Sequence, residues 1–330
     1  MTRPSQTKES YNIGILCALP TEKAAVEAVL DEEHESFSED GDDNHYTLGK
    51  MAHHNVVVAC MPSMGKASAA SVVKDMSRSF SLRFGLMVGI GGGVWSEEHD
   101  IRLGDVVVSQ PDGEHGGVVQ WDFGKMQTGG VFRRTGSLNK PPPVLRNAVM
   151  ALKVSHLRRL QELPRHLQEM LLKSPGMSEE FGYQGMDEDR LFESTYDHKT
   201  NKSSCMNCDK SRLVQRPVRK STAPEIHYGN IASGDEVMKD AITRDRIARD
   251  EGVICFEMEA AGLMDILPCI VIRGVCDYAD SHKNKKWQPY AASTAAAYAK
   301  ELLSTIKEHR VVPKGTPTDR PYINSLTESR

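Results

Sequence analysis

The sequence YNIGILCALPTEKAAVEAVL, residues 11–30, contains the pattern of a buried strand followed by a helix. Residues 11–19 form a nearly continuous apolar run, which is typical of a strand that is buried on both faces. Pro20 ends the run, and Thr21 can cap a helix that begins at Glu22, beyond which apolar residues recur on one face. This segment therefore predicts one strand–helix unit of an α/β protein.

Apolar runs alternate with helical patterns along much of the remaining chain. Strands are predicted at residues 46–48, 55–61, 84–90, 105–110, 225–233, 253–257 and 270–275, and helices at residues 67–80, 237–250, 260–265 and 291–306. The acidic stretch 31–44 is predicted to be a loop. The alternation favours a single three-layer α/β domain, in which helices flank a central mixed sheet and ligands bind at the carboxyl ends of strands.

The region between the two α/β segments differs in composition. It opens with three prolines, continues as a basic helical stretch over residues 144–173, and then becomes polar. We interpret residues 141–224 as an insertion within a domain that spans residues 11–306. The polar ends, residues 1–10 and 307–330, are predicted to be disordered.

Composition excludes several classes of protein. The 330 residues include 41 Lys and Arg and 45 Asp and Glu, a formal charge of −4, and the basic residues are scattered. The chain therefore lacks the basic stripe of a nucleic-acid-binding protein. No apolar run approaches the roughly 20 residues that span a bilayer, and the polar start lacks a signal peptide. Seven cysteines, an odd number, suit a reducing compartment, so a cytoplasmic location is expected.

Polar groups follow four of the predicted strands. They are Glu22, the glycines of residues 89–93, the segment Glu257-Met258-Glu259 and Asp277. Each has a plain structural alternative, since a glutamate in a first helical turn can favour the helix dipole and three glycines can form a tight turn. The carboxylates of CFEMEAAG lie between an apolar run and small residues, so at least one is expected to be enclosed.

Six motifs together resemble a known family. IGILCALPTE, SMGKASAA, VGIGGGV, ASGDEVM, FEMEAAG and RGVCDYAD occur in the same order in the purine and uridine phosphorylase superfamily. Within it, the chain resembles the fungal nucleoside phosphorylase-like domain and the 5'-methylthioadenosine/S-adenosylhomocysteine nucleosidases. The resemblance covers roughly residues 11–125 and 225–306. It implies the nucleoside phosphorylase fold, a purine nucleoside substrate, no cofactor, and a homo-oligomer, expected to be a dimer.

The resemblance also implies three catalytic residues. Asp277 would protonate the leaving purine, and for this its environment must raise its pKa. Glu259 would accept hydrogen bonds from the ribose hydroxyls and stabilise positive charge on the sugar. Glu22 would activate a water on the opposite face of the sugar. The alternative for this trio is a set of unrelated surface carboxylates.

Further residues are implied to contact the substrate. Backbone amides of the glycine segment would face the ribose or the water. Other main-chain groups would form hydrogen bonds with the edge of the purine base. The segment beside Glu259 would lie against the sugar. These residues are Gly91, Gly92, Val237, Met238, Glu257, Met258 and Asp122. Val237 and Met238 have a plain alternative, namely core-facing positions at the start of a helix.

The nucleophile can also be inferred from this comparison. Where phosphorylases of the hexameric kind have a phosphate-binding arginine and serine, this chain has Met87 and Ile90, and the first loop offers Lys23 but no arginine. Two apolar residues make a poor anion site, and Glu22 would repel phosphate. The sequence therefore favours hydrolysis of adenosine-type nucleosides, with inosine and guanosine as further candidates, over phosphorolysis. The nucleosidases generally have a serine at the Ile90 position as well, so the site is no copy of theirs.

A nucleoside-sensing module without catalysis is the second alternative. Such domains in fungi often precede NTPase and ankyrin regions, whereas this sequence has no Walker motif and no 33-residue repeat. The chain is thus expected to be complete on its own. Retention of both Glu22 and Asp277 favours an enzyme.

One cysteine pair suggests a metal site, although weakly. Cys205 and Cys208, with His198 seven residues before the first of them, could supply three zinc ligands, and Asp209 or a distant group a fourth. A single CxxC motif without a second matching pair is weak evidence. The sequence therefore predicts no metal, with these residues as the candidates for a structural zinc.

Overall fold

The computed structural model describes residues 7–37, 42–198 and 204–307. Most of the two ends predicted to be disordered lies outside these ranges, in residues 1–6 and 308–330. Within the first described range, Lys8–Ser10 forms a short 3-10 turn.

Helices and strands alternate over most of the described chain. The helices are α1 (Pro20–Ala28), α2 (Lys66–Ser79), α3 (Pro143–Leu157), α4 (Leu163–Lys173), α5 (Ser178–Phe181), α6 (Ala241–Glu251) and α7 (Gln288–Thr305). The strands are β1 (Ile13–Cys17), β2 (Glu32–His34), β3 (Tyr46–Met51), β4 (His54–Cys60), β5 (Phe84–Gly93), β6 (Val106–Ser109), β7 (Val118–Gln120), β8 (Gly124–Met126), β9 (Phe132–Arg134), β10 (Ile226–Ser233), β11 (Val253–Glu257) and β12 (Cys269–Asp277).

Ten of these strands form one mixed sheet. Their order is β11–β10–β6–β12–β5–β1–β4–β3–β2, and β7 pairs with β10. The central strands β1, β4, β5 and β12 run parallel to their neighbours in this group, so their carboxyl ends lie at one edge. The predicted α/β fold with a central mixed sheet is confirmed.

The sheet also closes on itself along a seam between β5 and β11. At this seam Gly92 pairs with Phe256, and Gly93 pairs with Cys255, both in antiparallel register. A Cβ at Gly91 would lie 2.7 Å from the sulfur of Cys255, so only glycine permits the close approach. The alternative of a plain tight turn at the glycines is therefore wrong, because they extend β5.

Helices cover both faces of the sheet. On one face α7 packs directly on β12, where a Cβ at Gly274 would lie 1.8 Å from the carbonyl oxygen of Ala291. Helices α1, α3 and α4 pack around α7 on the same face. Because α3 and α4 bury apolar side chains in this shared core, the first part of the predicted insertion belongs to the main body. The boundaries of that insertion stay a prediction.

Local structure departs from the sequence predictions at several places, among them the unpredicted strands β7, β8 and β9. Helix α1 begins at Pro20, so Thr21 is not its cap. Helix α6 begins only at Ala241, because the side chain of Asp240 caps it by accepting a 2.6 Å bond from the Thr243 amide. The predicted loop 31–44 contains β2, which pairs with β3. The helix predicted at residues 260–265 is reduced to a 3-10 turn at Ala260–Gly262.

None of the helices in the described ranges has the length and apolar character that crossing a bilayer would require.

Candidate active site

A cavity of about 350 Å³ opens at the carboxyl ends of β5, β11 and β12 and at the start of α1. Every substrate-binding and catalytic residue predicted from the sequence lines it, with the exception of Asp122. The lining includes Glu22, Gly91, Gly92, Val237, Met238, Glu257, Met258, Glu259 and Asp277. The fold thus brings together residues from five separate parts of the chain.

Glu22 is buried and lines this cavity. Its Oε2 accepts hydrogen bonds from the amides of Ala18 at 2.6 Å and Leu19 at 2.9 Å, and its Oε1 accepts one from Ile90 at 2.8 Å. The Leu19 amide belongs to the N-cap residue of α1, so Glu22 completes this cap from the first turn of the helix, and the bond from Ile90 joins the helix to β5. Burial raises the pKa of the Glu22 carboxyl, against the opposing charge of Arg273 and the amide bonds. Glu22 therefore both caps a helix and presents a carboxyl to the cavity.

Arg273, which the sequence reasoning missed, lies between the carboxylates. Its side chain is fully buried, and its Nη2 contacts Glu257 Oε2 and, at 3.1 Å, Glu259 Oε2. A Cβ at Gly89 would lie within 2.5 Å of both the Arg273 guanidinium and Glu22 Oε1, so those two groups flank the same glycine. The available signal was an arginine inside the apolar run CIVIRGV, because a buried charge needs partners.

Replacing Arg273 with methionine is expected to lower the free energy of unfolding by about 3–5 kcal/mol at neutral pH, because buried carboxylates lose their counter-charge. Without the guanidinium, the pKa values of the neighbouring carboxyl groups are higher in the folded state. The decrease in the free energy of unfolding should therefore be larger at high pH and smaller in mild acid. Urea unfolding of wild type and variant at both pH values measures it. The exposed Arg249→Met variant is the control, and an equal loss there would contradict the prediction.

The two glutamates at the carboxyl end of β11, Glu257 and Glu259, differ in their hydrogen-bond partners. Glu257 accepts hydrogen bonds from the amides of Glu259 at 3.1 Å and Ala260 at 3.0 Å, in addition to its Arg273 contact. Glu259 has the 3.1 Å bond from Arg273 and a longer 3.4 Å contact from the Met258 amide. Burial raises the pKa of Glu259 to about 7; Arg273 opposes this rise, and the charges of Glu257 and Glu22 add to it. The Glu259 carboxyl is therefore held by fewer hydrogen bonds than the Glu257 carboxyl.

Asp277 ends β12 on the other side of the cavity. Its Oδ1 accepts hydrogen bonds from Lys283 Nζ at 2.9 Å and from the Ala279 amide at 2.8 Å. Burial would raise the pKa of Asp277, but the ammonium of Lys283 and these hydrogen bonds outweigh it and hold the pKa below its usual value. The expectation of a raised pKa for Asp277 is therefore wrong for this arrangement of side chains, and the contact with Lys283 is the reason.

Of the other residues predicted to contact the substrate, Val237 and Met238 line the cavity and Asp122 does not. Val237 and Met238 line the cavity from an irregular segment before α6, not from the start of that helix. Asp122 lies away from the cavity lining, where it accepts bonds from Lys66 Nζ at 2.7 and 2.8 Å and from the Asp235 amide at 2.8 Å. A direct contact between Asp122 and a sugar stays a prediction.

Met87 and Ile90, the two positions where phosphate ligands would be expected, offer no side-chain hydrogen-bond donor. Met87 is fully buried in the core on the α2 face of the sheet. Ile90 lines the cavity, but its amide donates to Glu22. The three catalytic candidates are thus buried carboxyl groups around one cavity, and the alternative of unrelated surface carboxylates is wrong.

Comparison with known proteins shows which of them this chain resembles. The profile described as "Phosphorylase superfamily" matches residues 12–169. The predicted resemblance to the phosphorylase superfamily is confirmed. A futalosine hydrolase structure from Helicobacter pylori has a fold similar to that of this chain, with a TM-score of 0.57 at 17% identity, and the match covers 89% of this chain and 97% of that chain.

Two curated relatives that are similar to this chain differ greatly in length. A 5'-methylthioadenosine/S-adenosylhomocysteine nucleosidase of Mycobacterium bovis is 24% identical over 300 residues, which cover 89% of this chain and 96% of the relative. A nucleotide-binding leucine-rich repeat (NLR)-like protein of Hyaloscypha variabilis is 48% identical over 326 residues, which cover 96% of this chain. The chain spans only 32% of the length of that NLR-like relative.

Proposed function

We propose that this chain is a purine nucleosidase that hydrolyses the N-glycosidic bond of adenosine-type nucleosides to free base and ribose. The observation that carries the proposal is the placement of Glu22, Glu259 and Asp277 around one cavity large enough for a small ligand. Inosine and guanosine are further candidate substrates. The nucleosidase named among the relatives supports the same reaction class.

The carboxyl groups suit the two halves of this reaction. As the bond between C1' and the base breaks, its electron pair goes to the purine, and Asp277 delivers a proton to the base. The sugar becomes oxocarbenium-like, and the negative charge of Glu259 stabilises it. Water adds to C1', and Glu22 accepts the proton that this water loses. The raised pKa of Glu22 makes its carboxylate a better base than an exposed one.

Asp277 must first acquire the proton that it delivers. The Lys283 ammonium favours the ionised form of the Asp277 carboxyl. A bound purine would exclude water from this end of the cavity, and desolvation raises a carboxyl pKa. Substrate binding and proton uptake by Asp277 are therefore coupled in this proposal.

Water is favoured over phosphate by charge. A phosphate carries close to two negative charges and needs several cationic or N–H donors. The only guanidinium that the described chain places among these carboxylates, that of Arg273, already pairs with Glu257 and Glu259. The apolar Met87 and Ile90 side chains add no donor.

A nucleoside-sensing module is the second candidate, and the NLR-like relative supports it. The cheapest test of both is an assay with adenosine, with and without phosphate. Free ribose and adenine without phosphate support the nucleosidase. Ribose 1-phosphate formed only with phosphate would indicate a phosphorylase, and binding without turnover would indicate the sensing module.

The pH dependence of the rate should follow Glu259. Because its pKa is raised to about 7 and the reaction needs its charged form, kcat/KM is expected to rise with pH through neutrality. Glu259→Gln should abolish this rise and lower kcat severely. Glu257→Gln should lower kcat less, because Glu257 mainly holds backbone amides and Arg273. Steady-state rates across the pH range measure both. The reverse order of damage would contradict these roles.

We also propose a homodimer in the cytoplasm. The superfamily resemblance supports an oligomer whose neighbour completes the far end of the nucleoside pocket. Light scattering on the purified chain measures the oligomer, and a monomer at micromolar concentration would contradict it.

A further inference from the structure

A second group of chemically reactive side chains lies outside the carboxylate cavity. Ligand atoms of His198, Cys205 and Cys208 all lie within 4.8 Å of one another. Cys205 is buried, and the other two residues are half-buried. These three side chains therefore lie together at one point.

We propose that these three side chains bind a zinc ion. Tetrahedral zinc bonds of about 2.3 Å to sulfur and 2.0–2.1 Å to nitrogen place ligand atoms about 3.5–3.8 Å apart, so small side-chain rotations close the site. Two thiolates and an imidazole form a donor set that zinc prefers over hard cations. The half-buried positions of His198 and Cys208 leave the fourth position to a water molecule.

The surrounding loop supplies a reason for a metal. Between Phe192 and Leu213, the described residues form 3-10 turns at Cys205–Asn207 and Lys210–Arg212 and one isolated bridge. Segments with little regular structure and a small core are commonly stabilised by a metal or a disulfide. A disulfide would join only Cys205 and Cys208, whereas a zinc ion would bind all three side chains.

The loop packs against the segment that follows Asp277. The His198 amide donates to Ser281 Oγ at 3.0 Å, and Cys205 Sγ lies 3.7 Å from the carbonyl oxygen of His282. The His282 ring also stacks on Phe192, with centroids 4.1 Å apart. Zinc would therefore fix this loop against the turn that carries Lys283, and so would help to position the Lys283–Asp277 pair. The metal site itself does not depend on the proposed nucleosidase activity.

The test measures metal rather than activity. Elemental analysis of wild type purified under reducing conditions should give about one zinc per chain. Cys205→Ser and Cys208→Ser should lose most of it, and Cys60→Ser, a half-buried cysteine elsewhere, should keep it. Cobalt is also titrated into metal-free wild type, so that the test does not depend on folding of the serine variants. Tetrahedral ligand-field bands and a thiolate-to-cobalt charge-transfer band are expected there.

Three results would overturn the proposal. The first is wild type that takes up no zinc and gives no thiolate–cobalt band. The second is zinc that remains at full content in both serine variants. The third is a Cys205–Cys208 disulfide that persists under the reducing conditions of purification, shown by mass spectrometry after alkylation.

Discussion

With Asp277 replaced by asparagine, kcat for adenosine is expected to fall at least about 10²-fold, with a smaller change in KM. Asparagine keeps the size and hydrogen-bonding reach of the side chain but cannot deliver a proton to the base. Its amide would also lose the ionic contact to Lys283, which now lies 2.9 Å from Asp277 Oδ1. Steady-state kinetics together with a thermal melt separate lost chemistry from lost stability.

The control for this substitution is the exposed Asp265→Asn variant, in which only a loop contact to the Asn139 amide changes. It should keep wild-type kinetics. Activity of Asp277→Asn within a few-fold of wild type would remove Asp277 from the mechanism. A nucleoside with a better leaving group should narrow the gap between variant and wild type, because it needs less protonation.

Glu22→Gln is expected to lower the hydrolysis rate about 10²–10⁴-fold, because the amide can position a water but cannot take its proton. Added phosphate should not restore the rate. Both carboxylate oxygens of Glu22 accept backbone amides, so the NH₂ group of glutamine must face a donor in either orientation. A loss of stability therefore accompanies the substitution, and adenine binding by calorimetry must show that the cavity persists.

Glu27→Gln on the same helix is the matched control. Glu27 is half-buried, lies outside the cavity lining and accepts a hydrogen bond from the Thr47 hydroxyl. It should leave the rate unchanged. If phosphate instead raises wild-type turnover and converts the product to ribose 1-phosphate, the hydrolase proposal fails and Glu22 needs a different role.

The main strands were predictable because their residues obey a simple pattern. Apolar runs identify β1, β4, β5 and β12 closely, and the small-residue helix α7 follows from its alanines. The glycines of β5 were harder, since glycine favours turns in isolation. Their extended form depends on β11, which is distant in sequence and approaches too closely for any side chain. Local propensity contains no information about such a partner.

The candidate site was predicted largely through motifs that end strands. Glu22, Glu259 and Asp277 each lie at or just after the end of an apolar run. The parallel central strands β1, β5 and β12 bring Glu22 and Asp277 to one edge of the sheet, and the antiparallel seam between β5 and β11 adds Glu259. Arg273 and Lys283 were missed. Arg273 reaches the carboxylates by lying along the interior of β12, and Lys283 reaches Asp277 through the conformation of a turn. The contact with Lys283 that lowers the pKa of Asp277 depends on the conformation of that turn. The sequence therefore led to the opposite expectation, a raised pKa.

The seam between β5 and β11 has a consequence for the order of folding. Its paired residues, such as Gly92 and Phe256, are separated by more than a hundred residues of chain, so their contact requires a long loop to close. Contacts of this kind form slowly and after local ones. Because Gly91, Gly92, Glu257 and Glu259 meet only across this contact, the binding cavity should appear in the last stage of refolding. Recovery of ligand binding should therefore lag behind recovery of helical circular dichroism when the denatured chain is returned to native conditions.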